Sequence, residues 1–316
     1  IISPLYPWRY SDPITALASW SQAYYPNLIQ TLEAESDVDP EITRHGLLML
    51  NVEDQDDAIS WSQSADAWLE VVEKEVIYDL EPMLRDGIRD GLWMSQVASV
   101  RNPRLLKSLR KILEDSPLVE IHEESAVISL RKQGSRVTGV NTVHDESIEG
   151  DVVLVCSGAW TPKVSAQESI KIEPVKGQMV LFDAKPGMVN RIVLSSGQYV
   201  IPRRDGKVVA GSTLEYEGFD KQTTSQAKIA LTDMAIDLFP ELAACPVNHH
   251  WAGLRPGSPE GLPYIGCLPE YDNVYVNAGH FRNGLVLAPA SVRLMTSMLC
   301  DEALPLDANP YDPALR

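Results

Sequence analysis

Cysteine is scarce in this chain of 316 residues, and Cys156, Cys245, Cys267 and Cys300 stand far apart with no CxxC spacing. That argues against a disulfide framework and a structural zinc site, and it fits a reducing, cytoplasmic compartment. Basic residues are in the minority: 27 Lys plus Arg against 44 Asp plus Glu give a net charge of −17. An acidic surface repels phosphate backbones and anionic lipid, so no nucleic-acid or membrane partner is expected. No apolar run reaches the roughly 18 residues of a membrane span. A GxSxG elbow is missing, which argues against a serine hydrolase. His249 and His250 are adjacent; on a strand they face opposite sides and cannot share a metal. Internal repeats and low-complexity tracts are missing too.

What is present is ordinary for a globular protein, with 44% apolar and 22% charged residues. The length suggests roughly two domains with a sizeable core. The chain opens at Ile1 without Met, and no basic or long apolar flank marks a signal or transit peptide. Leu17, Trp20, Tyr24 and Leu28 recur at helical spacing and predict a helix over 13–35, capped by Asp12 and begun by Pro13. Pro26 is expected to kink or divide it. A strand is predicted over 46–52, then a helix over 54–75 whose acidic first turn suits the helix dipole. NPRLLKSLRKILED (102–115) reads as a helix. Strands are predicted at VEIHE (119–123), SAVISLRK (125–132), RVTGVNT (136–142) and DVVLVCSG (151–158). The block 172–212 alternates and reads as antiparallel, with the DG of RRDGK as a hairpin turn. Further helices are expected over 223–239 and 285–300. DVVLVCSG and NVYVNAG (273–279) are continuous apolar runs ending in small residues, which marks strands of a parallel, doubly covered sheet. An α/β domain interleaved with a mixed or antiparallel one follows.

Four segments carry candidate chemistry. Ser157-Gly158 ends a buried strand, where backbone can approach a ligand at the carboxyl edge of a sheet; taken alone, a core strand and plain turn is the better reading. In HWAGLRPGSPEGLPYIG (250–266), four glycines and three prolines predict a rigid, irregular loop. Arg255 within it would offer a fixed fork of donors to a carboxylate; a surface arginine beside a turn is the alternative. NAGHFRNGLVLAPASVRL (277–294) leads from a strand through a small-residue turn into a helix. Free N–H groups at that helix start favour an anion or a partly negative ring oxygen. Its GHFRNG spacing mimics a P-loop, but Leu285-Val286 replace the required Lys and Ser/Thr, which argues against nucleoside triphosphates. Tyr199 lies on a strand, either packing there or turning its hydroxyl to a ligand.

Taken together, KGQMVLF (176–182), YVIPRRDGKVVAGST (199–213), HWAGLRPGSPEGLPYIG and NAGHFRNGLVLAPAS (277–291) resemble the flavoprotein amine oxidases of the D-amino-acid-oxidase-like group. Within it they resemble the glycine oxidase branch, linked to making the thiazole ring of thiamine. ISPLYPWRY (2–10) and VRNPRLLKSL (100–109) extend the likeness over nearly the whole chain. The resemblance implies a doubly wound FAD-binding domain (1–45, 96–160 and 251–316) and a substrate domain on a large antiparallel or mixed sheet (46–95 and 161–250). The group's GxGxxG segment, with its βαβ unit, is expected upstream of ISPLYPWRY and is not in this sequence. FAD is the implied cofactor, with Val127, Ser157, Gly158, Gly253, Gly279, His280, Phe281, Arg282, Asn283, Gly284 and Leu285 around it. Glycine, or another small amine or D-amino acid, is the implied substrate. Arg255, Tyr199 and Arg282 would hold its carboxylate. Hydride transfer from Cα to flavin N5 would give an imine and then an oxo acid, without a dedicated protein base. Leu214 and Gly197 are expected to shape the room near the substrate. A homo-oligomer is compatible. The alternatives are a dehydrogenase passing electrons to a quinone and a cofactor-free, truncated module.

Overall fold

The computed structural model describes residues 1–316 apart from Asp66, Asp145, Ala166 and Glu168. In chain order the elements are α1 (Asp12–Ser36), β1 (Leu47–Leu50), α2 (Gln55–Ser64), β2 (Glu70–Glu73), α3 (Lys74–Leu80), β3 (Asp90–Met94) and α4 (Asn102–Asp115). Next come β4 (Val127–Gln133), β5 (Arg136–Thr142), β6 (Ser147–Glu149), β7 (Val153–Val155), α5 (Thr161–Ser165), β8 (Glu173–Phe182), β9 (Ile192–Ser195), β10 (Gln198–Pro202) and β11 (Val208–Gly211). The remainder is α6 (Ser225–Leu238), β12 (Val247–Gly257), β13 (Tyr264–Cys267), β14 (Val274–Ala278) and α7 (Gly284–Leu299). The chain divides into two compact, discontinuous units. Unit 1 holds Ile1–Tyr10, Leu32–Ser108 and Lys176–Gly253; unit 2 holds Ser11–Thr31, Leu109–Val175 and Leu254–Arg316.

The large sheet, in the order β12-β8-β11-β10-β9-β1-β3-β2, accounts for most of unit 1. The expected antiparallel block is there, since β8, β11, β10 and β9 pair antiparallel in turn. β1 then joins β9 in parallel, so the sheet is mixed. The RRDGK hairpin closes as expected: Arg203 N–H donates to Lys207 O at 2.8 Å and Gly206 N–H to Arg203 O at 2.9 Å. Alternation drives the layering. Leu48, Leu50, Val193, Val200 and Ala210 point to a core completed by Ile77 of α3 and by Leu231, Ala235 and Leu238 of α6. Leu47, Met49, Leu194, Ile201 and Val209 point the other way, where Tyr6, Trp8 and Trp61 cover them. Each Leu, Ile, Val or Met side chain so buried contributes about 1.5–3 kcal/mol, the alanines less.

Unit 2 contains a small sheet, β13-β14-β7, in which β14 runs parallel to β7 as the two apolar runs imply; the expected double cover is not found at β7, where Leu154 and the preceding Val152 are exposed. A second sheet, β4-β5-β6, is antiparallel. Val137, Val155, Ile172, Tyr264, Leu268, Val274 and Val276 form the core.

Several expectations are corrected. α1 passes through Pro26 as one helix, so of the expected kink or division the division does not occur. The helix predicted over 54–75 is instead α2, β2 and the start of α3; Asp66 within it lies outside the described residues. The β-branched pair Val71-Val72 finds partners in Leu92 and Gly91 of β3, and that tertiary pairing overrides the helical pattern. VEIHE forms no strand: Val119 and Ile121 stay exposed, and no named strand pairs with this stretch. The backbone around Arg255 is not an irregular loop, because β12 runs through Gly257. β12 is an edge strand, where the missing N–H of Pro256 is tolerated. YIG (264–266), read as part of the same loop, opens β13.

Candidate cofactor turn and substrate elements

β14 ends at Ala278 and hands the chain to Gly279, a 3-10 turn over Phe281–Asn283, and then α7. Gly279 has φ +86°, and a Cβ there would sit 3.2 Å from Ser258 Cβ and 3.3 Å from Ile172 Cδ1. Only glycine fits this turn without displacing its neighbours. Ser258 Oγ donates to Gly279 O at 2.6 Å. The Gly279 turn is thereby tied to a residue three places beyond Arg255, and both belong to unit 2.

His280 is half-buried, and its Nε2 lies 3.0 Å from Ser291 Oγ. Ser291 Oγ spends its proton on Leu287 O at 2.9 Å, so the imidazole is the donor and its Nδ1 is left as an acceptor. Burial pushes the His280 imidazole down to about 4, so it is neutral near pH 7. Asn277 Nδ2 donates to Ser291 O at 3.3 Å, adding β14 to the same junction. Neither Ser258, Ser291 nor Asn277 stood out in the sequence; the only signal was their nearness to the glycine turn.

Asn283 stands at the start of α7, and its side chain makes no cap hydrogen bond. Its Nδ2 is buried and lacks a hydrogen-bond partner among the described residues, as does Asn277 Oδ1. An uncapped helix start offers N–H donors and a positive dipole end. Arg282 beside it is exposed, and Phe281 and Leu285 are partly covered. In the same unit, Ser157 precedes a 3-10 turn at Gly158–Trp160, and its Oγ donates to Thr161 Oγ1 at 3.4 Å. Gly158 has φ +55° and open space where a Cβ would be. Val127 opens β4 opposite Thr142. Arg255 is partly exposed.

Unit 1 carries the other named residues. Tyr199 on β10 faces Gly211 across the ladder, and its hydroxyl lies 3.9 Å from Met179 Sδ. A Cβ on Gly211 would come within 3.0 Å of Met179 Cγ, so glycine makes room for both side chains. Gly253 is exposed on β12, and both it and Gly197 border open space. Leu214 is exposed on the segment after β11. That segment is held by a buried polar network that the sequence reading missed. Lys176 N–H donates to Glu215 O at 2.8 Å, and Glu215 N–H returns a bond to Lys176 O at 2.9 Å. Lys176 Nζ sits 3.3 Å from Glu215 and 3.5 Å from Asp220. Gln178, fully buried, donates to Glu215 Oε1 at 2.8 Å and accepts from Thr224 N–H at 2.9 Å. Burial alone would raise the Glu215 carboxyl, but hydrogen bonds from Thr213, Gln178 and Lys176 outweigh it and hold it below its usual range.

The donor set in unit 2 suits a flavin, the group implied by the resemblance: an uncapped helix start, an unpartnered buried amide, a neutral histidine and a glycine turn. The profile of the DAO family, described as "FAD dependent oxidoreductase", matches residues 1–298. Glycine oxidase of Pseudomonas aeruginosa is 46% identical over 318 residues, covering 100% of this chain and 87% of that protein. Glycine oxidase of Pseudomonas putida is 44% identical over 315 residues, covering 99% and 86%. The crystal structure of glycine oxidase from Geobacillus kaustophilus matches with a TM-score of 0.88 at 24% identity, covering 96% of this chain and 83% of that one, which is a likeness of fold. This chain belongs to the DAO family of FAD-dependent oxidoreductases.

Proposed function

We propose that this protein binds FAD and oxidises glycine, or a similarly small amine or D-amino acid, to an imine that water converts to the oxo acid and ammonia. The observation that carries the reading is the turn from Gly279 to Gly284. It delivers the uncapped start of α7 and is tied through Ser258 to the segment bearing Arg255. When bound, the flavin accepts the hydride that leaves the α-carbon. The chain's own residues bind and orient. The α7 start, with Asn283 and Arg282, would offer donors to the N1 and C2-oxygen edge of a bound flavin, where a dipole end would stabilise negative charge. Ser157, Gly158 and Val127 keep the cofactor role that the resemblance gives them. His280 is neutral and serves as a strut of the turn.

Arg255 is the carboxylate fork, with Arg282 of the same unit as a second cation; Tyr199 keeps the hydroxyl-donor role that the resemblance gives it. In this reading unit 2 supplies most of the FAD-binding domain and unit 1 the substrate domain. The link to thiazole formation, cytoplasmic location and homo-oligomeric state belong to the same proposal. No described helix is long and apolar enough to cross a membrane.

The test is spectroscopic. The purified protein is expected to be yellow and to bleach with glycine in the absence of oxygen. Arg255→Ala is expected to keep the flavin spectrum and raise the glycine KM at least about tenfold, the loss of one charged hydrogen-bond pair. A colourless protein that takes up no added FAD overturns the reading, as does an unchanged KM for Arg255.

A further inference from the structure

Pro289 lies inside α7. A proline in a helix interior has no N–H to give the carbonyl four residues back, here that of Leu285. The Leu285 carbonyl accepts instead the phenolic hydroxyl of Tyr25 on α1. One residue beyond the proline, Ala290 N–H donates to Ser21 Oγ at 2.9 Å. Ser21 and Tyr25 are four apart and so share one face of α1. They are 0% and 2% exposed, which puts both bonds out of reach of competing water. All these residues belong to unit 2. Burial drives the Tyr25 phenol above its usual range, so it remains a donor at any working pH. Two side chains of α1 thus complete the hydrogen bonding of α7 at its proline.

We propose that Tyr25, supported by Ser21, is a positioning residue for the flavin, acting through the peptide between Leu285 and Val286. That peptide has two ends. Its carbonyl takes the Tyr25 hydroxyl, and its N–H, on Val286, belongs to the opening turn of α7. A hydrogen bond accepted at the carbonyl polarises the peptide and strengthens the N–H as a donor. It also fixes the orientation of a turn that Pro289 would otherwise leave loose. The inference rests on the assignment of that turn to the N1 and C2-oxygen edge of the ring.

The experiment uses two substitutions in the purified, flavin-loaded protein. Tyr25→Phe removes the hydroxyl alone, and Pro289→Ala gives the Leu285 carbonyl an amide donor of its own. The readouts are the affinity for sulfite, which probes how well the protein stabilises negative charge on the ring, and the visible flavin spectrum. Tyr25→Phe is expected to retain flavin and weaken sulfite binding about threefold to tenfold, the worth of one hydrogen bond. On the Pro289→Ala background the same substitution is expected to change it less than twofold. A sulfite affinity within twofold of wild type in Tyr25→Phe overturns the inference, even if the melting temperature falls, because that is the signature of a merely structural contact. If Tyr25→Phe does not fold alone, Ser21→Ala is read by the same criterion. Wild-type protein that binds no flavin instead fails the reading on which the inference rests.

Discussion

In unit 1 the segment that follows β11 is fastened by charge: Lys176, Glu215 and Asp220, with Gln178 as the neutral link to Thr224. In unit 2 the turn ahead of α7 is fastened by neutral groups alone: Ser258 to Gly279, His280 to Ser291, Asn277 to the Ser291 carbonyl. The contrast follows from what each place can tolerate. An ion pair at a sheet end can be satisfied locally, because β8 and the 215–224 segment bring donors and acceptors together. A fixed full charge packed into the glycine turn would compete with the helix dipole that the proposed cofactor uses. At the turn itself the positive potential comes from the dipole end of α7 and from Arg282, exposed beside it.

Breaking the charged side of this comparison gives the largest expected effect. Gln178→Leu strips the Glu215 carboxylate of one donor and the Thr224 amide of its acceptor. Glu215 keeps Thr213 and Lys176 as donors and Thr224 is exposed to water, so urea denaturation is expected to show the loss of about one buried hydrogen-bonding group, about 1–3 kcal/mol. A variant as stable as wild type would mean that water takes over Gln178's bonds. A second expected effect depends on pH. Glu81 is buried and accepts N–H bonds from Asn190 and Arg191, yet burial dominates and pushes its carboxyl up to about 7. A carboxyl raised in the folded state stabilises fully below its unfolded value near 4.5, and that contribution is lost as pH rises through 7. The loss is on the order of 3 kcal/mol by pH 8. Glu81→Gln is expected to gain stability over wild type steadily from pH 5 to pH 8. Parallel stability curves for the two proteins would remove Glu81 as the cause. His280 in unit 2 slopes the other way: with its folded imidazole lowered to about 4 from 6.5, it costs stability as pH falls from about 6.5 toward 4 and is neutral in both states above that.

The two units also differ in how far their sequences can be read. The elements of unit 2 that matter are local: an apolar run, small residues, then a helix. Such signals are contiguous, and β7, β14, the Gly279 turn and α7 are legible from them. The anchors are not contiguous. Gln178 and Glu215 are 37 residues apart and meet only because β8 and β11 pair, and Ser21 and Ala290 are 269 apart. Pro289 was the one available clue, since a proline within a predicted helix demands an outside donor for Leu285. The prolines near Arg255 misled in the opposite direction, because an edge strand accepts a residue that a central strand rejects. Val71-Val72 misled because strand formation there depends on β3, which no local pattern reveals.

The smallest effect sharpens the comparison inside unit 2. Gly279 and Gly158 both lie in the left-handed region, but only Gly279 is crowded, by Ser258 and Ile172. Alanine at either position incurs the cost of positive φ, about 1–2 kcal/mol. At Gly158 that is the whole cost, because the space beyond it is open. At Gly279 the added methyl must also displace Ser258, whose hydroxyl holds the turn, so flavin affinity is expected to fall along with the melting temperature. Gly158→Ala is expected to melt earlier than wild type but later than Gly279→Ala. Measuring both variants by thermal denaturation and FAD titration separates backbone strain from close packing. Equal losses in the two would mean that the Ser258 contact yields freely and that the turn is set by its backbone alone.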